Sequence, residues 1–458
     1  MRCQHDGVSV LNIAFSTNKY MIKPDCLRKL VVNKYEIIHL MLKMFHISKS
    51  YLHIINKHDM FLLSRFIKPI YKLYSLMLRN GAKMDRKKTT NMEIKKLNHT
   101  NIYQFLRKNS GITKQDIVSR LQLCLPTITQ NIIELQDEGL VEKSGSIGNT
   151  GGRRAKTYDI IKDARTAIGL DITRNHVTAV AVDLTGSIID CVRTRKNFEL
   201  TDDYYQYIGN LVSSVIDKAK LKPELILGVG IGVPGLVTAD NQTVFFGQIL
   251  NFTGTTCSEF SKYIPFKTAL FNDANAASFA EIWAREEIKN AFYIMLSNNI
   301  GGSVVINSQI YVGDHLRSGE VGHITIVPGG RECYCGQKGC VDAYCAATEL
   351  SSLTDGNLSS FFNLLKSGDE EATKLWDEYL GHLAMTVNNL YMLFDCKIIL
   401  GGYVGEYILD YMDEFRNRAK KLNTFEDNAD YLMVCSYKTE AIAAGAALNF
   451  IADFINSI

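Results

Sequence analysis

The sequence predicts an α/β protein with a small winged helix-turn-helix module ahead of it. Two observations carry this. Between Asn98 and Val141 lie three stretches with helical spacing, followed by two short extended runs around a basic, glycine-rich tip. From Thr166 onward, β-rich runs recur, each delivering a polar or glycine-rich loop, which is where α/β folds place ligands.

The bulk properties permit this and exclude other classes. A chain of 458 residues with 46% hydrophobic content can bury the cores of two or three domains. Its most apolar early stretch, YEIIHLMLKMFHISKSYLHII, is interrupted by Glu36, His39, Lys43, His46 and Lys49. No run therefore approaches the ~18 uncharged residues of a membrane span. The start, MRCQHDGVSV, lacks the pattern of a secretory signal. These features read as a cytoplasmic protein that makes no use of the membrane. Eleven cysteines with one dense cluster point to free thiols plus a metal site rather than a disulfide framework. Charge is divided along the chain. Residues 1–83 hold 14 Lys/Arg against 4 Asp/Glu, residues 84–160 hold 13 against 8, and residues 161–458 hold 24 against 36. A basic front suits a polyanion, and an acidic back suits a neutral small molecule or a second copy of the chain.

Residues 1–83 carry no sustained period and receive no assignment. Met84 opens MDRKKTTNMEIKKLNH as a natural start would, so the preceding stretch is either an upstream extension or a small helical appendage. Next, Ile102, Phe105 and Leu106 mark a first helix, Thr113 caps KQDIVSRL, and Pro126 stands at the start of a third helix. In a helix-turn-helix the last helix presents its N-terminal side chains to base edges, here Thr127, Thr129 and Gln130. The hairpin tip that follows bears Arg153, Arg154 and Lys156, suited to phosphates or a narrow minor groove. The alternative for this module, residues 84–160, is a small helical domain for protein contacts.

Strands are expected at TAIGLDI, HVTAVAVD and SIIDCVRT, then at ELILGVGIGVPGLV, KTALFNDANAAS and NAFYIMLSNNIGGSVVI. Helices are expected at AASFAEIWAREE, from Glu371 to Leu393, and at EAIAAGAALNFIADFI. The stretch from His323 to Tyr344 contains the pattern C-x-C-x₄-C at Cys333, Cys335 and Cys340, behind the histidine. A dense cysteine cluster of this kind suggests a metal site. Buried free thiols or a redox pair are the other readings of that spacing.

Residues 98–458 resemble the ROK family (repressor, open reading frame, kinase). The resemblance rests on the order of winged helix, GVGIGVPG, NDANAA, EVGH at 320–323 and CYCGQKGCVD at 333–342. It implies two RNase H-like lobes of the actin-like sugar-kinase architecture, at 161–285 and 286–458, with the C-terminal helix returning to the first lobe. It also implies one structural zinc on His323, Cys333, Cys335 and Cys340, and a sugar site formed by Asn272, Asp273, Glu320, His323 and Asp342. Asp342 stands where the family more often has Glu, one methylene shorter. Asp273 matches the family's catalytic base, and a carboxylate capping the following helix is its plainer reading.

The resemblance weakens at the phosphate loops. Where kinases of the family have DxGGTK this chain reads DITRNH from Asp171, and where they have GTGIGGG it reads SNNIGGSV. Gly301, Gly302, Gly401 and Gly402 are the candidates left for a nucleotide, so ATP and magnesium are expected only of a kinase. The sequence thus points to a sugar-responsive DNA-binding transcriptional regulator, with operator DNA and a sugar or amino sugar as partners. A homodimer or higher homo-oligomer is expected, because paired half-sites ask for symmetric readers. The alternative is an ATP-dependent hexose or N-acetylhexosamine kinase using Asp273 as general base.

Overall fold

The computed structural model describes residues 90–147, 154–437 and 440–458. The unassigned stretch 1–83 and Arg153 at the hairpin tip lie outside the described residues. Residues Asn91–Ile458 form one compact unit.

It begins with helix α1 (Asn91–Lys108), strand β1 (Ile112–Thr113), helices α2 (Lys114–Leu121) and α3 (Leu125–Asp137), and strands β2 (Val141–Ile147) and β3 (Ala155–Ile160). Local chemistry sets the boundaries. Thr113 and Asp116 form a reciprocal capping box at the start of α2. Gln122 ends that helix in the left-handed region at φ 54°, turning the chain toward Pro126 in the first turn of α3. The strands pair antiparallel in the order β1-β3-β2. Ile102, Tyr103, Leu106, Ile117, Ile128, Ile132 and Leu135 are buried between helices and sheet. Each aliphatic one contributes about 1.5–3 kcal/mol.

Two five-stranded sheets of the same design follow. The first comprises β4 (Thr166–Ile172), β5 (His176–Asp183), β6 (Ile188–Arg195), β7 (Ile226–Val233) and, after the small hairpin β8 (Leu236–Val237) and β9 (Val244–Phe246), β10 (Thr268–Asn272). Its order is β10-β7-β4-β5-β6, with β4, β5 and β6 antiparallel and β7 and β10 parallel to β4. Helix α4 (Asp202–Lys218) covers one face, helix α5 (Cys257–Phe260) packs beside it, and α6 (Asp273–Ala284) starts directly from β10. The second sheet comprises β11 (Ala291–Leu296), β12 (Ile300–Ile306), β13 (Gln309–Tyr311), β14 (Lys397–Gly401) and β15 (Leu432–Val434) in the order β13-β12-β11-β14-β15. The antiparallel meander with two parallel additions is thus repeated, which is the two-lobed architecture the sequence predicts. Helices α7 (Asp342–Cys345), α8 (Ala347–Ser351), α9 (Leu358–Ser367), α10 (Glu370–Phe394), α11 (Gly402–Ile408) and α12 (Met412–Leu422) surround the second sheet.

The last helix, α13 (Ala441–Ser457), lies on the first sheet and against α6. The composition of both partners explains this. β4 is buried along its whole length, so it reads as a continuous apolar run rather than an alternating one. A Cβ at Gly230 of β7 would stand 2.2 Å from the Ala446 carbonyl oxygen, and one at Gly445 would stand 1.7 Å from that of Ala276. The alternating glycines of GVGIGVPG therefore seat an alanine-rich helix on the sheet, backbone against backbone. None of the helices among the described residues is long and apolar enough to cross a membrane.

Candidate functional site

A cleft of about 300 Å³ opens between the two sheets, lined from one side by Asp171, Arg174, Gly235, Asn272 and Asp273 and from the other by Gly301, Gly302, Glu320, His323, Tyr334 and Tyr403. Asn272 and Asp273 sit at the end of β10, where the strand hands over to α6. Asn272 is the N-cap of α6, accepting from the Asn275 N–H at 3.0 Å and donating through Nδ2 to the Gly235 carbonyl at 3.2 Å. The cap belongs to Asn272, which leaves one Asp273 oxygen free for other work. Asp273 Oδ1 accepts from the Ala274 N–H at 2.8 Å and from Asn272 Nδ2 at 3.0 Å. Burial pushes the Asp273 carboxyl up to about 7, with the Glu320 charge adding to it.

Opposite stand Glu320 and His323, on a one-turn 3₁₀ helix spanning Val321–His323. Glu320 Oε2 lies 4.0 Å from His323 Nε2, and the Tyr334 hydroxyl lies 3.2 Å from the same nitrogen. The other ring nitrogen, Nδ1, is 3.9 Å from Cys333 Sγ, and Cys335 Sγ is 3.9 Å from Cys340 Sγ. Ligand atoms of His323, Cys333, Cys335 and Cys340 all lie within 4.8 Å of one another. A tetrahedron with metal–sulfur bonds of about 2.3 Å has sulfur–sulfur edges of about 3.8 Å, so the four groups fit a metal ion. The turn that assembles them is local: Cys333 N–H donates to the Gln337 carbonyl at 2.8 Å and Gly336 N–H to the Cys333 carbonyl at 2.9 Å. Burial pushes the Cys333 thiol up to about 12, so an ionised thiolate there calls for a cation beside it. His323 therefore faces two ways, Nδ1 to the cysteines and Nε2 to the cleft.

Asp342 departs from expectation. It does not line the cleft; its buried carboxylate accepts from the Ile300 N–H at 2.6 Å. Being one methylene shorter than Glu, it is taken up by the backbone where β12 begins, and it holds the second sheet to the metal loop rather than facing a ligand. The glycine candidates also change meaning. Gly301 and Gly302 lie in strand β12 rather than in a loop, and a Cβ at Gly302 would meet the Gly319 carbonyl oxygen at 2.5 Å. Gly401 ends β14 under the Tyr293 hydroxyl and is not among the lining residues, whereas Gly402 lines the cleft at φ 77°. Close packing of chain on chain accounts for Gly302 and Gly401 without a nucleotide.

Three lining residues were not legible as site residues. Asp171, at the end of β4, is 5% exposed, and burial together with Asp273 pushes its carboxyl up to about 7. Tyr403 of α11 faces Arg193 of β6, whose positive charge opposes the upward push of burial on its hydroxyl. Tyr334 is hidden inside the cysteine motif, where its neighbours claim the attention. Arg174, in the degenerate first phosphate loop, donates to the Ile249 carbonyl at 2.7 Å.

The other sequence-singled residues lie far along the chain. Thr127 and Thr129 are half-buried on the first turns of α3 and Gln130 is exposed there, its Nε2 donating to Glu134 at 3.0 Å. Arg154 and Lys156 are exposed beside the tip of the β2–β3 hairpin, Lys156 opposite Ser146.

Comparison with known proteins agrees with this architecture. The chain is 23% identical over 399 residues to the xylose repressor of Caldicellulosiruptor bescii, covering 79% of this chain and 97% of that one. It is 24% identical over 343 residues to the DNA-binding transcriptional dual regulator NagC of Escherichia coli, covering 68% and 82%. Among solved structures, a ROK family transcriptional regulator homologous to the Escherichia coli MLC protein superposes with a TM-score of 0.63 at 19% identity, covering 79% of this chain and 97% of that one. A ROK family glucokinase from Streptomyces griseus, in complex with glucose and AMPPNP, superposes with a TM-score of 0.52 at 23% identity, covering 62% and 98%. The ROK family signature matches residues 167–452, well over half of the sequence, and with both lobes, the cleft and the Cys₃His cluster in place, the chain belongs to the ROK family.

Proposed function

We propose that this protein is a sugar-responsive transcriptional repressor: the module at 84–160 binds operator DNA, and the ROK body, with lobes at 161–285 and 286–458, senses a sugar. One observation carries the reading. The cleft keeps acceptors for hydroxyl groups, while side chains stand where kinases of the family have phosphate-loop glycines. Asn272, Asp273, Glu320 and His323 converge on one end. In the first phosphate loop, where kinases of the family have glycines, Arg174 is tied to the Ile249 carbonyl, and Tyr403 stands near Asp171 and Arg193. A general base without a held phosphoryl group has no electrophile. The names of the relatives, xylose repressor and N-acetylglucosamine repressor, support a pentose, hexose or amino sugar as effector.

The parts then have distinct tasks. Asp273 and Glu320 accept from sugar hydroxyls, and a ligand lacking one forfeits that hydrogen bond, which makes the site selective. Zinc on His323, Cys333, Cys335 and Cys340 is structural: a closed shell supplies rigidity rather than Lewis acidity at the cleft. Bound there, zinc would hold the ring of His323 through Nδ1 and leave Nε2 to the ligand. Thr127, Thr129 and Gln130 read bases, while Arg153, Arg154 and Lys156 neutralise phosphates. The protein works in the cytoplasm as a symmetric homo-oligomer.

A kinase is the second reading, favoured by the Asp273 carboxyl near 7, which suits a general base at neutral pH. A coupled ADP-release assay across D-xylose, D-glucose and N-acetyl-D-glucosamine, beside sugar titrations of DNA binding, separates the two. The repressor reading expects no turnover, a sugar-dependent change in DNA affinity, and loss of that change in Asp273→Ala with DNA binding intact. Robust sugar-dependent turnover that Asp273→Ala abolishes would overturn it.

A further inference from the structure

The two helices that begin at the cleft both end at the DNA module. Asp273, Ala274 and Ala277 from the start of α6, and Ala441 and Ile442 from the start of α13, line the cleft. From there α6 runs 12 residues and α13 runs 17, about 18 and 26 Å of helix. Beyond their far ends lies α1, the first helix of the module.

The contacts at that end are specific. Arg107 of α1 pairs with Glu286, just past α6, at 2.5 Å, and its guanidinium lies 4.3 Å above the Trp283 ring. Lys108 pairs with the same Glu286. Trp283 is itself fixed, donating to the Thr185 carbonyl at 2.9 Å. Thr100 of α1 donates to the backbone carbonyl of Ile458, next to the end of α13. An ion pair on an open surface contributes little. Arg107 is different, being 10% exposed and sandwiched between an indole and a carboxylate, so it fixes a position. The apolar core continues through the junction: Ile102, Tyr103 and Leu106 of α1 belong to one buried cluster with Ala280, Ala444, Ala447, Leu448 and Ile451.

Between the two ends the helices have no slack. They meet at Gly445 and Ala276 with backbone against backbone, so neither can shift alone by the width of a methyl group. On its other side α6 is tied to the second lobe. The fully buried Glu281 accepts from the Ser436 and Tyr437 N–H groups at 2.6 and 2.9 Å, and Arg285 donates to the Val434 carbonyl at 2.8 Å. A movement of one lobe toward the other around a ligand therefore acts on α6 at the end that meets α1.

We infer that α6 and α13 form the rigid lever that couples the cleft to the DNA module, and that the Arg107–Trp283–Glu286 contact is its output joint. Arg107 is a positioning residue that touches neither ligand. This inference rests on the sensor reading above. It goes further by naming the element that both sites bias, which is what an allosteric connection physically requires.

The test is amide hydrogen exchange of the full chain, with and without D-xylose, D-glucose or N-acetyl-D-glucosamine as probes. Peptides spanning 272–278 and 318–324 report the cleft, and peptides spanning 98–108 report α1. In the unaltered protein the sugar that protects the cleft should also change exchange in α1. In Arg107→Ala and in Glu286→Gln the cleft should still be protected and the α1 response should be lost. Arg107→Lys, which keeps a cation beside both the Trp283 ring and Glu286, should retain the α1 response that Arg107→Ala loses. Protection of the cleft with no change in α1, or a full α1 response in both Arg107→Ala and Glu286→Gln, would overturn the lever alone. If none of the sugars protects the cleft, the sensor reading falls and the lever falls with it.

Discussion

Asp171→Asn is expected to stabilise the protein at alkaline pH and to do little in acid. The carboxyl is 5% exposed and raised to about 7 by burial and then by the charge of Asp273, which together outweigh the attraction of Arg193. In the unfolded chain it titrates near its ordinary value of about 3.9. The folded value is the higher one, so the favourable contribution of the neutral carboxyl is complete below pH ~4 and is lost progressively as pH rises to about 7. Three units at about 1.4 kcal/mol each make the ionised group cost roughly 4 kcal/mol by pH 8.5, against about 1 kcal/mol at pH 4.5. Asn keeps the shape and removes the charge. Thermal unfolding of variant and parent at those two pH values should therefore show a Tm gain of several degrees at pH 8.5 and a small one at pH 4.5. An equal or lower Tm for the variant at pH 8.5 would refute the claim that a desolvated carboxylate sits unrelieved in the cleft.

Gly445→Ala pits helix propensity, worth about 1 kcal/mol in favour of Ala, against a methyl group 1.7 Å from the Ala276 carbonyl oxygen. The clash should win, lowering stability by about 1–3 kcal/mol or more, and a Tm at or above the parent's would contradict the backbone-on-backbone packing of α6 and α13. Cys335→Ser should lose bound zinc, measured by elemental analysis, together with the sugar-induced thermal shift, because one loop holds both the metal and His323. Sugar binding that survives metal loss would count against the staple. Replacing Arg153, Arg154 and Lys156 with Ala should lower the slope of log affinity against log salt by about 0.9 for each phosphate contact removed, and an unchanged slope would exclude the hairpin from the DNA interface.

The residues that were legible in the sequence are those whose chemistry is local. Cys333, Cys335 and Cys340 are brought together by a single turn over eight residues, so their spacing already encodes the cluster. Thr113 with Asp116 and Pro126 mark helix starts through contacts within one turn. β4 through β6 announce themselves by length and apolar content. The surroundings of Asp342 and of the glycines were not legible, for the opposite reason. Whether a carboxylate faces a ligand or a backbone N–H depends on where β12 begins in space, and whether Gly302 serves a phosphate or the close approach of Gly319 depends on a contact across 17 residues.

By itself the sequence determined the α/β class, the helical module ahead of it, the ROK signature and the cysteine cluster, because periodicity, capping and short spacings act within a few residues. Only the tertiary structure decided what faces what. It set His323 between the cysteines and the cleft, aimed Tyr334 and Tyr403 into the cleft, turned Asp342 away, and brought Arg107 onto Trp283 and Glu286 across more than 170 residues. Such pairings arise from the packing of whole helices and sheets, and no local pattern in the chain specifies which distant side chain will be met.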